Sequence, residues 1–174
     1  TVGKQQISPG TGYAWNPTDV LNIKDILDPT YEQPGHNAGR VDIPLWERVT
    51  AMLLYQARED FRQSWKIASI KANLGRFDLS VMAGEGGWEF IDYESVPPAE
   101  TTQVRAIVGG DLVGELLGFG VWGEAAYNRM EVWDDYFEGV VGFDYTFDNE
   151  FYVLNEFYVN GQGKADYREY DIYD

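Results

Sequence analysis

The sequence predicts an all-β protein, an antiparallel up-and-down β-barrel that crosses a membrane, and three observations carry that prediction. Apolar and polar residues alternate over runs of about nine to eleven residues, the length that a tilted strand needs to cross a bilayer. The connections between these runs alternate between tight and long. Aromatic side chains, which make up 16% of the chain, gather toward both borders of the apolar face, as in the girdles of membrane barrels.

The last hairpin, from Phe137 to Val159, shows the alternation best. Between Phe137 and Phe147 the odd positions read Phe, Gly, Val, Phe, Tyr and Phe, whereas the even positions include two acids and a threonine. The pair Asp148-Asn149 predicts a two-residue turn, and a second run begins at Phe151. Period two indicates strands with one apolar and one polar face.

The same alternation predicts seven strands upstream of this hairpin. They are Val2–Ser8, Arg40–Leu45, Arg48–Tyr55, Trp65–Leu74, Phe77–Gly84, Gln103–Asp111 and Leu116–Asn128. The tight connections are predicted at Pro44–Glu47, Gly75-Arg76, Asp111–Glu115 and Asp148-Asn149. The long ones are predicted at Pro9–Gly39, Gln56–Ser64, Glu85–Thr101, Arg129–Tyr136 and from Asn160 onward. Short turns at one end and long loops at the other are typical of outer-membrane barrels.

Composition limits the class of protein. A chain of 174 residues is enough for one domain, so residues 1–174 are predicted to form a single β-barrel domain or a fragment of one. Without cysteine the chain has no disulfide framework and no thiolate metal site. The net charge of −16 repels phosphates, so we expect no nucleic-acid partner. The sequence contains no run of about 18 apolar residues, so no transmembrane helix is predicted.

The polar face of the strands is predicted to line a wet lumen in which opposite charges pair. The expected pore-lining residues are Arg40, Asp42, Arg48, Lys71, Asp78, Arg105, Glu124, Glu138, Asp144 and Glu156. An alternative stays open. In a soluble sandwich or small barrel the apolar residues would face inward, and the same charges would simply meet solvent.

The long connection at residues 9–39 is predicted to be ordered, because Asx-Pro and Pro-Thr pairs favour turns and caps. One hypothesis is that it folds into the lumen and narrows it; the other is that it packs over the barrel mouth. The constriction residues of the first hypothesis are Trp15, Asn16, Asp19 and Asp28.

No catalytic set, metal site or cofactor is predicted. The single histidine, His36, is expected to be a solvated loop residue. Paired acids such as Glu124 and Glu138 are of the type that glycosidases use, but acids on the polar face of a sheet are more often pore lining or solvated surface. We therefore expect that the protein is not an enzyme.

Several short motifs resemble porin-like outer-membrane β-barrels of Gram-negative bacteria. These motifs are Val2–Gln5 followed by Trp15–Asp19, the strand Gly142–Phe147, and Asn155–Gly161. The resemblance implies a channel in the bacterial outer membrane that lets small solutes or ions cross passively, with the lipid bilayer and those solutes as partners. An oligomer, or a partner protein in the lumen, is also compatible with such a barrel.

The chain departs from that pattern in its strand count and its end. About nine or ten strands are predicted, whereas single-chain bacterial barrels have an even number, and no closing strand ends in an aromatic residue. Either Asp166–Tyr173 forms a tenth strand or the chain is part of a larger barrel, and we favour the part. Two other functions stay open, a soluble all-β protein that binds a ligand such as a glycan, and a barrel that serves as scaffold or sheath for a partner protein.

Overall fold

A computed structural model describes residues 1–22, 35–92 and 96–163 of the chain, and they form one antiparallel sheet of nine strands. The strands are β1 (Val2–Gln5), β2 (His36–Trp46), β3 (Val49–Gln56), β4 (Trp65–Asn73), β5 (Phe77–Asp92), β6 (Ala99–Leu116), β7 (Phe119–Met130), β8 (Tyr136–Thr146) and β9 (Tyr152–Asn160). Each strand pairs with its neighbours in sequence, which confirms the predicted all-β antiparallel meander. The described ranges contain no helix with the length and apolarity to span a membrane.

The sheet does not close on itself within the part of the chain that the structure describes. There β1 pairs only with β2, and β9 pairs only with β8. The described strands therefore form an open wall, and a barrel, whole or in part, stays a prediction. The predicted tenth strand, Asp166–Tyr173, and the constriction residue Asp28 lie outside the described residues.

The hairpin of β5 and β6 is much longer than predicted. The two strands stay paired as far as Asp92 and Ala99, so most of the predicted long loop Glu85–Thr101 is strand. Its Gly and acidic residues suggested a loop, but Trp88 and Phe90 pack against Trp133 of the β7–β8 connection. Cross-strand pairing and this aromatic cluster outweigh the local composition.

Three turns also differ from the prediction. The segment Asp111–Glu115 lies inside β6, and the chain reverses at Leu117-Gly118, where both residues have positive φ as a type I′ turn requires. Glu150 adopts a φ of 66° and closes the last hairpin, so this loop is longer than the predicted Asp148-Asn149 pair. Arg48 lies in the Glu47-Arg48 turn and not in a strand, which corrects its predicted place on the strand face.

One face of the sheet, here called the apolar face, is exposed. It carries the aliphatic and aromatic residues at the alternate strand positions that were predicted to be apolar. Among them, Val108, Val141 and Phe157 retain 64%, 57% and 64% of their accessible surface. The described segments that leave the sheet do not bury these side chains. The apolar face therefore presents a wide hydrophobic surface to the surroundings.

The opposite face, here called the polar face, is covered in part by residues 6–22, which we call the N-terminal segment. Strand β1 ends at Gln5 rather than at the predicted Ser8 because the chain leaves the sheet edge there and crosses this face. A small hydrophobic core lies beneath the crossing. It consists of Ile7, Ala38, Leu54, Trp65, Ile67, Met82, Ile107 and Ala126. The core thus lies between the sheet and its own N-terminal segment.

Candidate functional site

The N-terminal segment is held on the polar face by a buried carboxylate from β7, Glu124. One oxygen, Oε2, accepts hydrogen bonds from the backbone N–H groups of Thr11 and Gly12 at 2.9 and 3.1 Å. The other, Oε1, accepts from the N–H and the hydroxyl of Thr18 at 2.6 and 2.8 Å. Hydrogen bonds to an ionised acceptor are stronger than neutral ones, so this single side chain anchors two parts of the segment.

A second carboxylate, Glu156 of β9, continues the same arrangement. It accepts from the backbone N–H groups of Tyr13 and Ala14, both at 2.7 Å, and from the indole N–H of Trp122 at 2.8 Å. Four successive amides of the segment therefore point at two acids on neighbouring parts of the sheet. Both acids were predicted to lie on the polar face, but their role as anchors for the segment was not.

Two glycines let the segment approach the sheet this closely. Gly10 has a φ of +86°, and a Cβ there would lie 1.9 Å from Asn16 Oδ1 and 2.6 Å from Glu124 Oε2. On β6, a Cβ at Gly109 would lie 2.8 Å from the side chain of Thr18, which is fully buried. A larger residue at either position would push the segment off the carboxylates.

Aromatic rings secure the middle of the segment. Tyr13 packs against Trp122 with ring centroids 4.9 Å apart. Trp15 stacks on Tyr158 of β9 at 5.3 Å, with an angle of 5° between the planes. These contacts fix the indole of Trp15 over the polar face, as the hypothesis of an inserted loop requires for this residue.

The far end of the segment is closed by a hydrogen-bonded cluster around Asp19. Its carboxylate accepts from the Ser8 hydroxyl and from the Asn22 side-chain amide, each at 2.7 Å. Burial raises the pKa of Asp19 above its ordinary value of 3.8, and these hydrogen bonds offset only part of the rise. His36 belongs to the same cluster, because its ring nitrogens meet Asn22 and Gln56 at 2.9 and 3.0 Å. The expectation of a solvated loop histidine was therefore wrong.

The raised pKa of Asp19 predicts that the wild-type protein gains stability as the pH falls from neutral. The folded protein binds this proton more tightly than the unfolded chain, so the gain is complete below the unfolded-state pKa and is lost as pH rises through the folded-state pKa. Asp19→Asn can keep the contacts to Ser8 and Asn22 without a charge. We expect the variant to be the more stable protein at neutral pH and its advantage to shrink on acidification. Denaturant unfolding of both proteins across that range measures this, and an advantage independent of pH contradicts the assignment.

A second polar cluster lies on the same face around Arg105 of β6. Its Nε donates to Asn128 Oδ1 at 2.8 Å, and one terminal nitrogen lies 3.6 Å from Glu138 Oε2. Glu138 also accepts from the Asn128 amide at 3.0 Å and from the Tyr158 hydroxyl. The guanidinium lies over the ring of Tyr136, 5.8 Å from its centroid. This cluster pairs opposite charges across three strands.

The remaining predicted pore-lining residues share this face, apart from Arg48. The register of the strands places Arg40, Asp42, Lys71, Asp78 and Asp144 on it. Arg40 pairs with Asp42 at 2.7 Å, Lys71 with Asp78 at 3.7 Å, and Asp144 accepts from the Tyr152 hydroxyl at 2.9 Å. Three pairs of opposite charges therefore lie on the polar face, Arg40–Asp42, Lys71–Asp78 and Arg105–Glu138, whereas Asp144 meets a tyrosine.

Four residues of the site were missed by the sequence reasoning. Trp122, Asn128 and Tyr158 contact the acids described above, and Asp111 accepts from Ser80. All four lie an even number of residues from a predicted polar-face residue of the same strand, Arg105, Glu124 or Glu156, so counting positions identifies their face. Parity carries no information about which of them meet, since that depends on the path of the N-terminal segment.

A cavity of about 640 Å³ remains between the N-terminal segment and the sheet, at the end with the longer connections. Trp15, Trp88, Tyr136, Arg58, Arg105 and Glu138 are among its lining residues. Glu124 and Glu138 do not form a free pair of catalytic acids, because the N-terminal segment occupies both oxygens of Glu124. The site as described is suited to holding or guiding a polar solute.

In comparisons with known proteins, no protein-family model, no curated protein and no solved structure matches this chain.

Proposed function

We propose that the chain forms part of the wall of a porin-like β-barrel in the bacterial outer membrane, and that small solutes or ions cross passively along its polar face. The N-terminal segment serves as the constriction of that path.

The exposed apolar face is the observation that carries this proposal. Val41, Val81, Val108 and Val141 on separate strands each keep about half or more of their accessible surface. Soluble monomers rarely expose an apolar patch wider than a few hundred Å², because each Å² of apolar surface in water costs about 25 cal/mol. A hydrocarbon environment removes that cost. The soluble glycan-binding alternative would need this face turned inward, and it is disfavoured for that reason.

The aromatic residues at the borders of the apolar face also favour a membrane environment. Phe119, Phe147 and Phe151 lie near the short turns, and Tyr127 and Phe137 lie toward the longer connections. Aliphatic side chains fill the band between them. Aromatic girdles on either side of an aliphatic band are what strands need at the two interfaces of a bilayer.

The unpaired strand edges favour a larger barrel. In hydrocarbon an unpaired backbone N–H or C=O costs several kcal/mol, so an open sheet edge is not stable there. The free edges of β1 and β9 within the described residues therefore call for further strands on both sides. We propose that these strands complete a barrel to which the described residues of this chain contribute nine strands.

Ion selectivity tests the proposed lumen. In planar bilayers that contain the full chain, Lys71→Glu is expected to raise the ratio of cation to anion permeability, because it reverses a charge on the proposed path. Arg105→Glu is expected to shift the ratio in the same direction. Lys66→Glu is the matched control, since Lys66 belongs to the opposite face by its pairing with Tyr55 and Glu85. Unchanged selectivity in Lys71→Glu, or an equal shift in Lys66→Glu, would contradict the proposal that the polar face lines the lumen.

A further inference from the structure

We propose that the cavity beneath the N-terminal segment binds a neutral saccharide of one or two rings as it passes. This inference rests on the proposed function, because it names the class of solute that the path takes. The volume of the cavity, about 640 Å³, falls within the usual range for clefts that hold small molecules.

Arg105 supplies hydrogen-bond donors to this cavity. The residue is 8% exposed, yet Nε is the only guanidinium nitrogen that donates a hydrogen bond to a described residue. The contact of Nη2 with Glu138, at 3.6 Å, is longer than a hydrogen bond. A guanidinium carries five N–H donors, so its terminal nitrogens can donate to a ligand in the cavity.

The acids that line the same cavity select against an anionic ligand. Glu138, Asp19 and Glu89 lie along its wall with the two arginines, Arg58 and Arg105, and Glu89 already pairs with Arg58 at 2.6 Å. Glu138 lies 3.6 Å from Arg105, so each arginine is matched by an acid and Asp19 adds a further carboxyl group. The lining therefore has no excess positive charge with which to hold a carboxylate or phosphate. A hydroxyl group both donates and accepts, so it can bond to the arginine and to the acids alike.

Aromatic rings give the cavity flat apolar surfaces beside these polar groups. Trp15 is held in place by its stacking on Tyr158, and Trp88 by its contacts with Phe90 and Trp133. The C–H face of a pyranose ring packs on such a surface while its hydroxyls reach outward. Rings that are already fixed lose little entropy on binding, which favours specific recognition.

Binding is tested with the full chain in detergent micelles, by calorimetry and tryptophan fluorescence, using glucose and cellobiose against glucuronate. We expect saturable binding of the neutral sugars that exceeds that of glucuronate. Arg105→Gln should weaken it about tenfold, the effect of one charge-assisted hydrogen bond. Trp15→Leu should weaken it as well, and because Trp15 is partly exposed this variant is not expected to unfold the sheet. Arg62→Gln and Trp46→Leu are matched controls on exposed residues outside the cavity.

Conductance in planar bilayers, measured on the same preparation, distinguishes a failure of saccharide binding from a failure of the proposed transport function. Conduction together with neutral-sugar binding that both variants weaken supports the inference. Conduction without saturable binding, or with tighter binding of glucuronate, overturns the inference alone. Absence of conduction overturns the proposed function and, with it, the role of the cavity on a solute path.

Discussion

Val141→Arg is expected to destabilise the protein in a bilayer by about 2–4 kcal/mol, the cost of an arginine near the midplane of a membrane barrel. Val141 lies at the centre of β8, on the apolar face, and its neighbours across the strands are Gly123 and Phe157. Its side chain is 57% exposed, so in water the substitution would remove little packing. The expected loss arises entirely from the environment of this face.

Val132→Arg is the matched control for this variant. Val132 is 70% exposed but lies in the connection between β7 and β8, outside the proposed membrane span. Urea unfolding from lipid vesicles measures the free energy of each variant. A large loss at Val141 with a negligible one at Val132 agrees with lipid contact, and equal small losses at both positions contradict it.

Glu124→Gln is expected to release the N-terminal segment from the polar face. An amide in place of the carboxylate keeps one acceptor oxygen, and its NH2 group then faces N–H donors that need an acceptor. Each buried donor left unpaired costs about 1–3 kcal/mol, so we expect a loss of about 3 kcal/mol in the attachment of the segment. Combining it with Glu156→Gln should release the segment fully.

Amide hydrogen exchange at Thr11, Gly12 and Thr18 reads this attachment directly, and single-channel conductance reads its consequence. Exchange should accelerate and conductance should rise in Glu124→Gln, because the segment narrows the proposed path. Glu115→Gln makes the same chemical change at an exposed position of β6 and should alter neither. Unchanged protection of the three amides in Glu124→Gln would show that the carboxylate does not anchor the segment.

The sheet could be predicted from the sequence because its signal is local. Alternation of period two gave the antiparallel meander and the two faces, and Phe137–Val159 follows it nearly throughout. It failed at the β5–β6 hairpin, where Gly86 and Gly87 resemble a loop although Trp88 and Phe90 pack on Trp133. A contact so distant in sequence leaves no trace in local composition.

The candidate site was predicted only in part for the same reason. Parity identified Glu124, Glu138 and Glu156 as residues of one face, and turn chemistry indicated an ordered segment around Trp15. Neither signal shows that the amides of Thr11 to Ala14 meet two of those acids, since the partners are more than a hundred residues apart. The hydrophobic core under the segment was missed because Ile7 lies far from the strands that it covers.

Reaction of single cysteines with a charged thiol reagent in lipid vesicles tests most directly whether the apolar face meets lipid. The chain has no cysteine, so each introduced thiol is read without background. We expect Val141→Cys to react far more slowly than Val132→Cys in vesicles, because the reagent does not enter the hydrocarbon, and to react readily once the protein is unfolded. Rapid reaction of Val141→Cys in the folded, vesicle-bound protein would contradict the assignment of this face to the membrane.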